Sequence, residues 1–309
     1  MTPFTFPFVS VVIPVYNGVK NIDYCLQALL KLEYPPEKRE IIIVDNNSTD
    51  NTPELISHYP VQLASEHEIQ TSYAARNRGI QLARGEIVAF ADSDCMPDPS
   101  WLKCIAQAFI DPQIAGVAGK VIPCPPTNLV EEFLVALDPL RFQILGKRIS
   151  MCTANVAYRR EILIQLGGFR SRLPTGGDID LGWRVQDLPG WRVRYADDVI
   201  VYHKNRSNVS ELCKLYRRYG YSEILIDTLH RHDDAYPRTP RKQLVIMLHQ
   251  FKALIIYLLS FILRLARCLI RGWDKRYMIW PILWFLVDGS SLCGKLQGIL
   301  ETQFWTTCM

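Results

Sequence analysis

No two of the nine cysteines in this 309-residue chain stand in a C-x-x-C arrangement, and their total is odd. That excludes a disulfide framework or a zinc-ribbon site and leaves a reduced, cytosolic setting as the expectation. The first eight residues have neither the basic start nor the long apolar core of a secretory signal, so no export is expected. No glycine-rich loop followed by lysine comes after the first apolar run, which weighs against a phosphate-cradling loop and against a nucleotidylyltransferase. Repeats and low-complexity tracts are missing, so a solenoid is not indicated. Charged residues make up only 21% and hydrophobic residues 49%, a globular rather than a disordered balance.

What is present starts with Val88-Ala89-Phe90-Ala91-Asp92-Ser93-Asp94, where an apolar run ends in two carboxylates one residue apart. Such a run reads as a buried strand, and its acids then emerge at the carboxyl end, where open α/β sheets bind ligands. Mg2+ or Mn2+ takes oxygen donors there, with substrate phosphates completing the shell, while the second acid can hold a sugar hydroxyl. The plain alternative is a pair of acids capping the next helix.

The first 120 residues alternate strand-like runs with helical segments. Strands are expected at 9–15, 40–44, 61–64 and 87–91, and helices at 21–32, from about 52, and at 72–83. This alternation predicts a doubly wound, mostly parallel α/β sheet covered on both faces. Beyond residue 115 the rhythm breaks at prolines 123, 125 and 126. A helix over 128–145, strands at 152–158 and 191–195, and a short helix starting near Gly176 are expected to follow.

The last third is helical and apolar. Over 244–263 Lys252 is the single residue certain to be charged at neutral pH, and a second apolar stretch, 277–287, is broken by Pro281. The first is just long enough to cross a bilayer and the second too short, so crossing and lying in the interface both stay open. Residues 204–276 hold 15 Lys/Arg against 6 Asp/Glu, whereas residues 1–203 hold 19 against 23. Beside so apolar a region, and with no nucleic-acid motif, this excess points to anionic lipid rather than nucleic acid. A helical, membrane-associating C-terminal region is therefore expected.

Five segments, Ser10-Val11-Val12-Ile13-Pro14-Val15-Tyr16-Asn17, Val44-Asp45-Asn46-Asn47-Ser48-Thr49-Asp50, Ala75-Arg76-Asn77-Arg78-Gly79, Asp92-Ser93-Asp94 and Gly177-Asp178-Ile179-Asp180-Leu181, occur in this order. Together they resemble the family-two glycosyltransferases of the GT-A fold, over roughly residues 8–220. The resemblance implies a catalytic domain over 1–220, with a nucleotide-binding half at about 8–120 and an acceptor half at about 121–220, before the helical region 221–309. It implies an inverting, metal-dependent hexosyltransferase-like enzyme. Such an enzyme moves a sugar from a nucleotide-diphosphate donor, above all a UDP-sugar, to a glycan or lipid-linked acceptor at the cytoplasmic membrane face. Its metal would be Mn2+ or Mg2+.

By the same resemblance Pro14, Tyr16 and Asp45 line the base site, Arg76 looks back onto base or phosphates, and Asp92 turns to the ribose. Asp94 is the direct metal ligand, with His203 of Val201-Tyr202-His203 as a further one, and Asp178 is the general base. Residue by residue the alternatives stay open: Asp45 can form an Asx turn, His203 can be a core or capping residue, and Asp180 competes for the role of base. Cys152-Thr153-Ala154-Asn155 resembles the segment beneath the donor sugar. The family's usual Glu-Asp is Gly177-Asp178 here, which puts acceptor contacts in doubt and leaves room for a catalytically silent nucleotide-sugar-binding or scaffold protein. No Gln-x-x-Arg-Trp sequence of the processive synthases is present, so addition of single sugars is expected.

Overall fold

The computed structural model describes residues 5–145, 147–231, 240–271 and 275–308, with backbone alone for 240–242, 266–271, 275–277 and 302–308. In chain order the elements are β1 (Val9–Val15), α1 (Ile22–Leu30), β2 (Arg39–Asp45), α2 (Thr52–Ser57), β3 (Gln62–Ser65), α3 (Ser72–Leu82), β4 (Ile87–Ala91), β5 (Cys95–Pro97) and α4 (Trp101–Ala108). Next come β6 (Ile114–Pro123), α5 (Leu129–Leu137), β7 (Ile144–Leu145), β8 (Arg148–Ile149), β9 (Asn155–Arg159), α6 (Arg160–Gln165), α7 (Gly177–Gln186) and β10 (Arg192–His203). Three helices close the chain: α8 (Val209–Leu229), α9 (Pro240–Arg271) and α10 (Lys275–Cys308).

Eight strands form one sheet in the order β3-β2-β1-β4-β9-β6-β10-β5. Every residue of β1 and of β4 is buried, as continuous apolar runs require when helices cover both faces. Strands β1 to β4 pair in parallel, so their carboxyl ends share one edge. The sheet is nonetheless mixed, because β9 is antiparallel to both β4 and β6, and β5 is antiparallel to β10. A parallel return needs a crossover over the sheet face. The chain instead turns back through the β7–β8 hairpin and enters β9 at Asn155, opposite Ala91, from the carboxyl edge.

Two expected elements differ by more than three residues at one end. The helix expected over 128–145 stops at Leu137, where Asp138 takes a left-handed backbone (φ 43°). Pro139 follows, and it disfavours helical geometry in the residue before it. The strand expected at 191–195 runs on to His203 through a bulge between Ala196 and Ile200. That bulge is held from below: the Asn155 amide donates to the carbonyls of Lys120 (2.9 Å) and Val199 (2.8 Å), and its oxygen accepts from Trp101 Nε1.

The chain divides into two compact units, one of residues 1–124 and 140–204 and the other of 125–139 and 205–309. The first holds the sheet. In the second, Phe133 of α5 meets the rings of Trp280 and Trp284 edge-on, and Leu212, Leu215, Leu283 and Val287 pack around them. Here α8 and α10 lie side by side at very close range, for a Cβ on Gly220 or Gly294 would overlap the backbone of the other helix. The stretch 277–287 lies inside α10, with Pro281 within the helix. Between the two apolar stretches, Arg264, Arg267, Arg271, Lys275 and Arg276 are basic, and the side chains of the last four lie outside the described residues.

Candidate functional site

The parallel order β2-β1-β4 brings three sequence motifs to one edge. Tyr16 leaves β1 with 52% of its surface exposed, Asp45 ends β2, and Asp92 follows β4. Pro14 is a buried residue of β1 opposite Val44. The loops after β1 and β2 are tied together, since Asn17 Oδ1 accepts from the Thr49 amide (2.7 Å) and the Asn17 amide donates to Ser48 Oγ (2.8 Å). Asn17 and Asn47 both sit at positive φ, a conformation asparagine tolerates better than most residues.

Asp45 is 5% exposed, and its Oδ2 accepts from the Ser48 amide three residues on, a local turn contact. Its Oδ1 is buried with no hydrogen-bond partner among the described residues. A buried acceptor left open is costly unless a ligand donor fills it, so turn and binding roles are compatible in one carboxylate.

Arg76, on α3 and 3% exposed, lies against the rings of Tyr73 and Phe169 and forms a 2.5 Å ion pair with Asp92. Its Nε has no partner among the described residues. Asp94, two residues on, lies 3.6 Å from His203 Nε2. Strand pairing sets this up, because β10 runs antiparallel to β5 with His203 opposite Cys95. His203 is buried, with Nδ1 unpartnered among the described residues. An oxygen and a nitrogen donor thus converge, a set that suits Mn2+ or Mg2+ only if phosphate oxygens complete the shell. No group of three His, Cys, Asp or Glu able to hold a metal by itself occurs among the described residues.

Asp178 stands in the first turn of α7, half-buried, with Oδ1 accepting from the Ile179 amide (3.0 Å). Burial pushes its carboxyl pKa up from the ordinary aspartate value, Arg76 pulls it back, and Asp92 adds to the rise. Asp180 differs completely: it is 0% exposed and bonded to Arg184 (2.9 Å) and Arg170 (3.2 Å). Arg184 also donates to the carbonyls of Leu166 and Gly168, so that cluster joins α7 to the preceding loop. At Gly177 a Cβ would lie 3.0 Å from three carbons of the Tyr73 ring. Tyr73 therefore occupies the space a longer side chain would need. Trp183 is a core residue beneath Arg148.

Several participants were not legible in the sequence. Asn77 sits inside a quoted motif, but its partners, Phe169 and Ser171, are more than ninety residues away. The thiols of Cys25, Cys95 and Cys152 near the acids are pushed up by burial, with the carboxylates adding to it, which keeps them protonated and poorly nucleophilic. Asn155 spends its amide on the sheet bulge and Trp101, as described above.

Residues 10–167 match the family model described as glycosyl transferase family 2. Among relatives, glycosyltransferase AglE of Haloferax volcanii is 35% identical over 234 residues, covering 74% of this chain and 76% of that protein. A dolichyl N-acetyl-alpha-D-glucosaminyl phosphate 3-beta-D-2,3-diacetamido-2,3-dideoxy-beta-D-glucuronosyltransferase of Methanococcus voltae is 23% identical over 321 residues, covering 95% of this chain and 98% of that one. The fold is shared with the mannosyltransferase PcManGT of Pyrobaculum calidifontis, solved with GDP-Man and Mn2+, at a TM-score of 0.62 and 21% identity, over 97% of this chain and 89% of that one. With the matched model, the 35% identity and the edge of acids all in agreement, this chain belongs to glycosyl transferase family 2.

Proposed function

We propose that the protein is an inverting, metal-dependent glycosyltransferase that moves a sugar from a nucleotide-diphosphate donor, a UDP-sugar, to a glycan or lipid-linked acceptor at the cytoplasmic face of a membrane. The observation carrying this reading is the convergence of Asp45, Asp92, Asp94 and His203 on one sheet edge, where Arg76 pairs with Asp92. Asp45 Oδ1 accepts a base N–H, which a uracil ring offers, and Tyr16 supplies an exposed ring beside it. Arg76 orients Asp92 for the ribose. Asp94 and His203 would hold a divalent cation, which would supply positive charge to the diphosphate leaving group.

Asp178 takes the proton from the acceptor hydroxyl as that oxygen attacks the anomeric carbon on the face opposite the diphosphate. Burial raises the pKa of its half-buried carboxyl, which makes it a stronger base than an exposed aspartate. Two arginine partners and complete burial weigh against Asp180 in that role. The lipid-linked acceptor is supported by the likeness to the Methanococcus voltae enzyme over nearly its whole length. A membrane setting is supported by the 23-residue apolar segment Gln243–Leu265.

A panel of UDP- and GDP-sugars with Mn2+, followed by thermal shift and by release of nucleoside diphosphate, tests the reading. One UDP-sugar should raise Tm and be turned over. A rise in Tm without release of nucleoside diphosphate under any acceptor condition would favour the silent binding protein instead.

A further inference from the structure

We infer that α9 lies in the plane of an anionic lipid surface, its outer face immersed and its inner face hydrogen-bonded to α8 and α10, and that it does not cross the bilayer. This rests on the membrane setting proposed above and specifies how that membrane is engaged. Length leaves the choice open, since 23 helical residues reach about 35 Å, enough to span. The neighbours of α9 decide it.

A helix of a water-soluble protein turns its apolar stripe to the core and its polar stripe outward. In α9 the pattern is reversed. Leu244, Leu248, Phe251, Ile255, Leu259 and Ile262, spaced three or four apart on one face, are each 49–59% exposed. Gln243, Gln250 and Tyr257, seven apart on another face, turn to the protein: Gln243 donates to Asp227, Gln250 to Ser291 Oγ (3.4 Å), and Tyr257 stacks on Trp284 and bonds Asp288. Residues 243–265 contain no acid, and Lys252 is exposed beside the apolar face. Basic side chains flanking an immersed face complement anionic headgroups.

Crossing would take the partners along. Lys295 of α10, 1% exposed, donates to Gln250 (3.0 Å) and pairs with Glu223 of α8 (2.9 Å). Residues 284–295 of α10 run antiparallel beside 250–257, so a spanning α9 would bring Asp288, Lys295 and Glu223 to hydrocarbon depth. Such charges are costly there. An in-plane helix leaves that network on the water side while its outer face dips into the acyl boundary.

The test uses the full chain, tagged at both ends, with sealed phosphatidylcholine vesicles with and without phosphatidylglycerol. Expected are flotation that grows with phosphatidylglycerol, release by alkaline carbonate, and removal of both tags by external protease. Phe251→Asp and Leu259→Asp, at exposed positions, should each lower partitioning by about tenfold or more. The donor-induced thermal shift should be unchanged. Flotation with tags on opposite sides, or resistance to carbonate, overturns the in-plane geometry and leaves the membrane setting standing. Failure to float on either vesicle overturns the membrane setting itself. A dimer in solution that Phe251→Asp dissociates, with no flotation, assigns the face to a second copy and overturns the lipid.

Discussion

The side chain of Asn77 clamps the backbone of Phe169 in both directions, its amide donating to the Phe169 carbonyl (2.7 Å) while its oxygen accepts from the Phe169 amide (2.8 Å). A further bond to Ser171 Oγ completes the set, and Thr71 holds the Ser171 carbonyl. The loop carrying Phe169 thus docks on α3, and Phe169 in turn flanks Arg76. Asn77→Ala strands these backbone groups. A loss of roughly 1–3 kcal/mol is expected, measured by urea unfolding, together with weaker donor binding as Arg76 loses its backing.

Asp94→Asn should weaken Mn2+-dependent donor binding and abolish transfer, because a cation with few protein ligands depends on each one and on the diphosphate. His203→Ala should act in the same direction, as the two side chains converge at 3.6 Å. Titration calorimetry with donor, with and without Mn2+, checks both. Unchanged metal-dependent affinity in Asp94→Asn would sink the assignment.

Asp178→Asn and Asp180→Asn should separate cleanly. The first should leave donor affinity intact and lower turnover by about 10²–10⁴, the contribution of a general base. The second removes the charge that pairs with Arg184 and Arg170 in a fully buried site, and should cost about 3–5 kcal/mol in stability. If Asp180→Asn instead folds normally and loses turnover alone, the two roles are exchanged.

Activity should fall on the acid side above the ordinary aspartate range. Burial raises the Asp178 carboxyl, so protonation, which removes the base, sets in at higher pH than for an exposed aspartate. Arg76 opposes that rise, so Arg76→Met should move the acid limb higher still. A pH–rate profile at saturating donor reads both shifts. An acid limb of Arg76→Met displaced downward would contradict the coupling.

Gly79→Ala should destabilise by about 1–3 kcal/mol without touching any ligand. A Cβ there would come 2.2 Å from Val12 Cγ1, so α3 could no longer lie as close to β1. Thermal unfolding measures the loss, and the metal dependence of donor binding should persist.

Local chemistry fixed much in advance. The apolar runs at Val9–Val15 and Ile87–Ala91 read as central strands, and Asp92 and Asp94 after the second then emerge at an edge, because side-chain periodicity and burial act over a few residues. The five motifs in order were enough to place the family. Pairing across long separations was decided elsewhere. That His203 faces Asp94 follows from β10 lying antiparallel to β5, and β9 reverses because the chain turns back at the hairpin without a crossover. Asp178 and Asp180 look equivalent in a string two residues apart. Only packing gave one a half-open site near Arg76 and buried the other between two arginines. Likewise the apolar run of 244–263 declared its composition, but which face of that helix meets α8 and α10, and which is left outward, depends on helices that packing alone brings together.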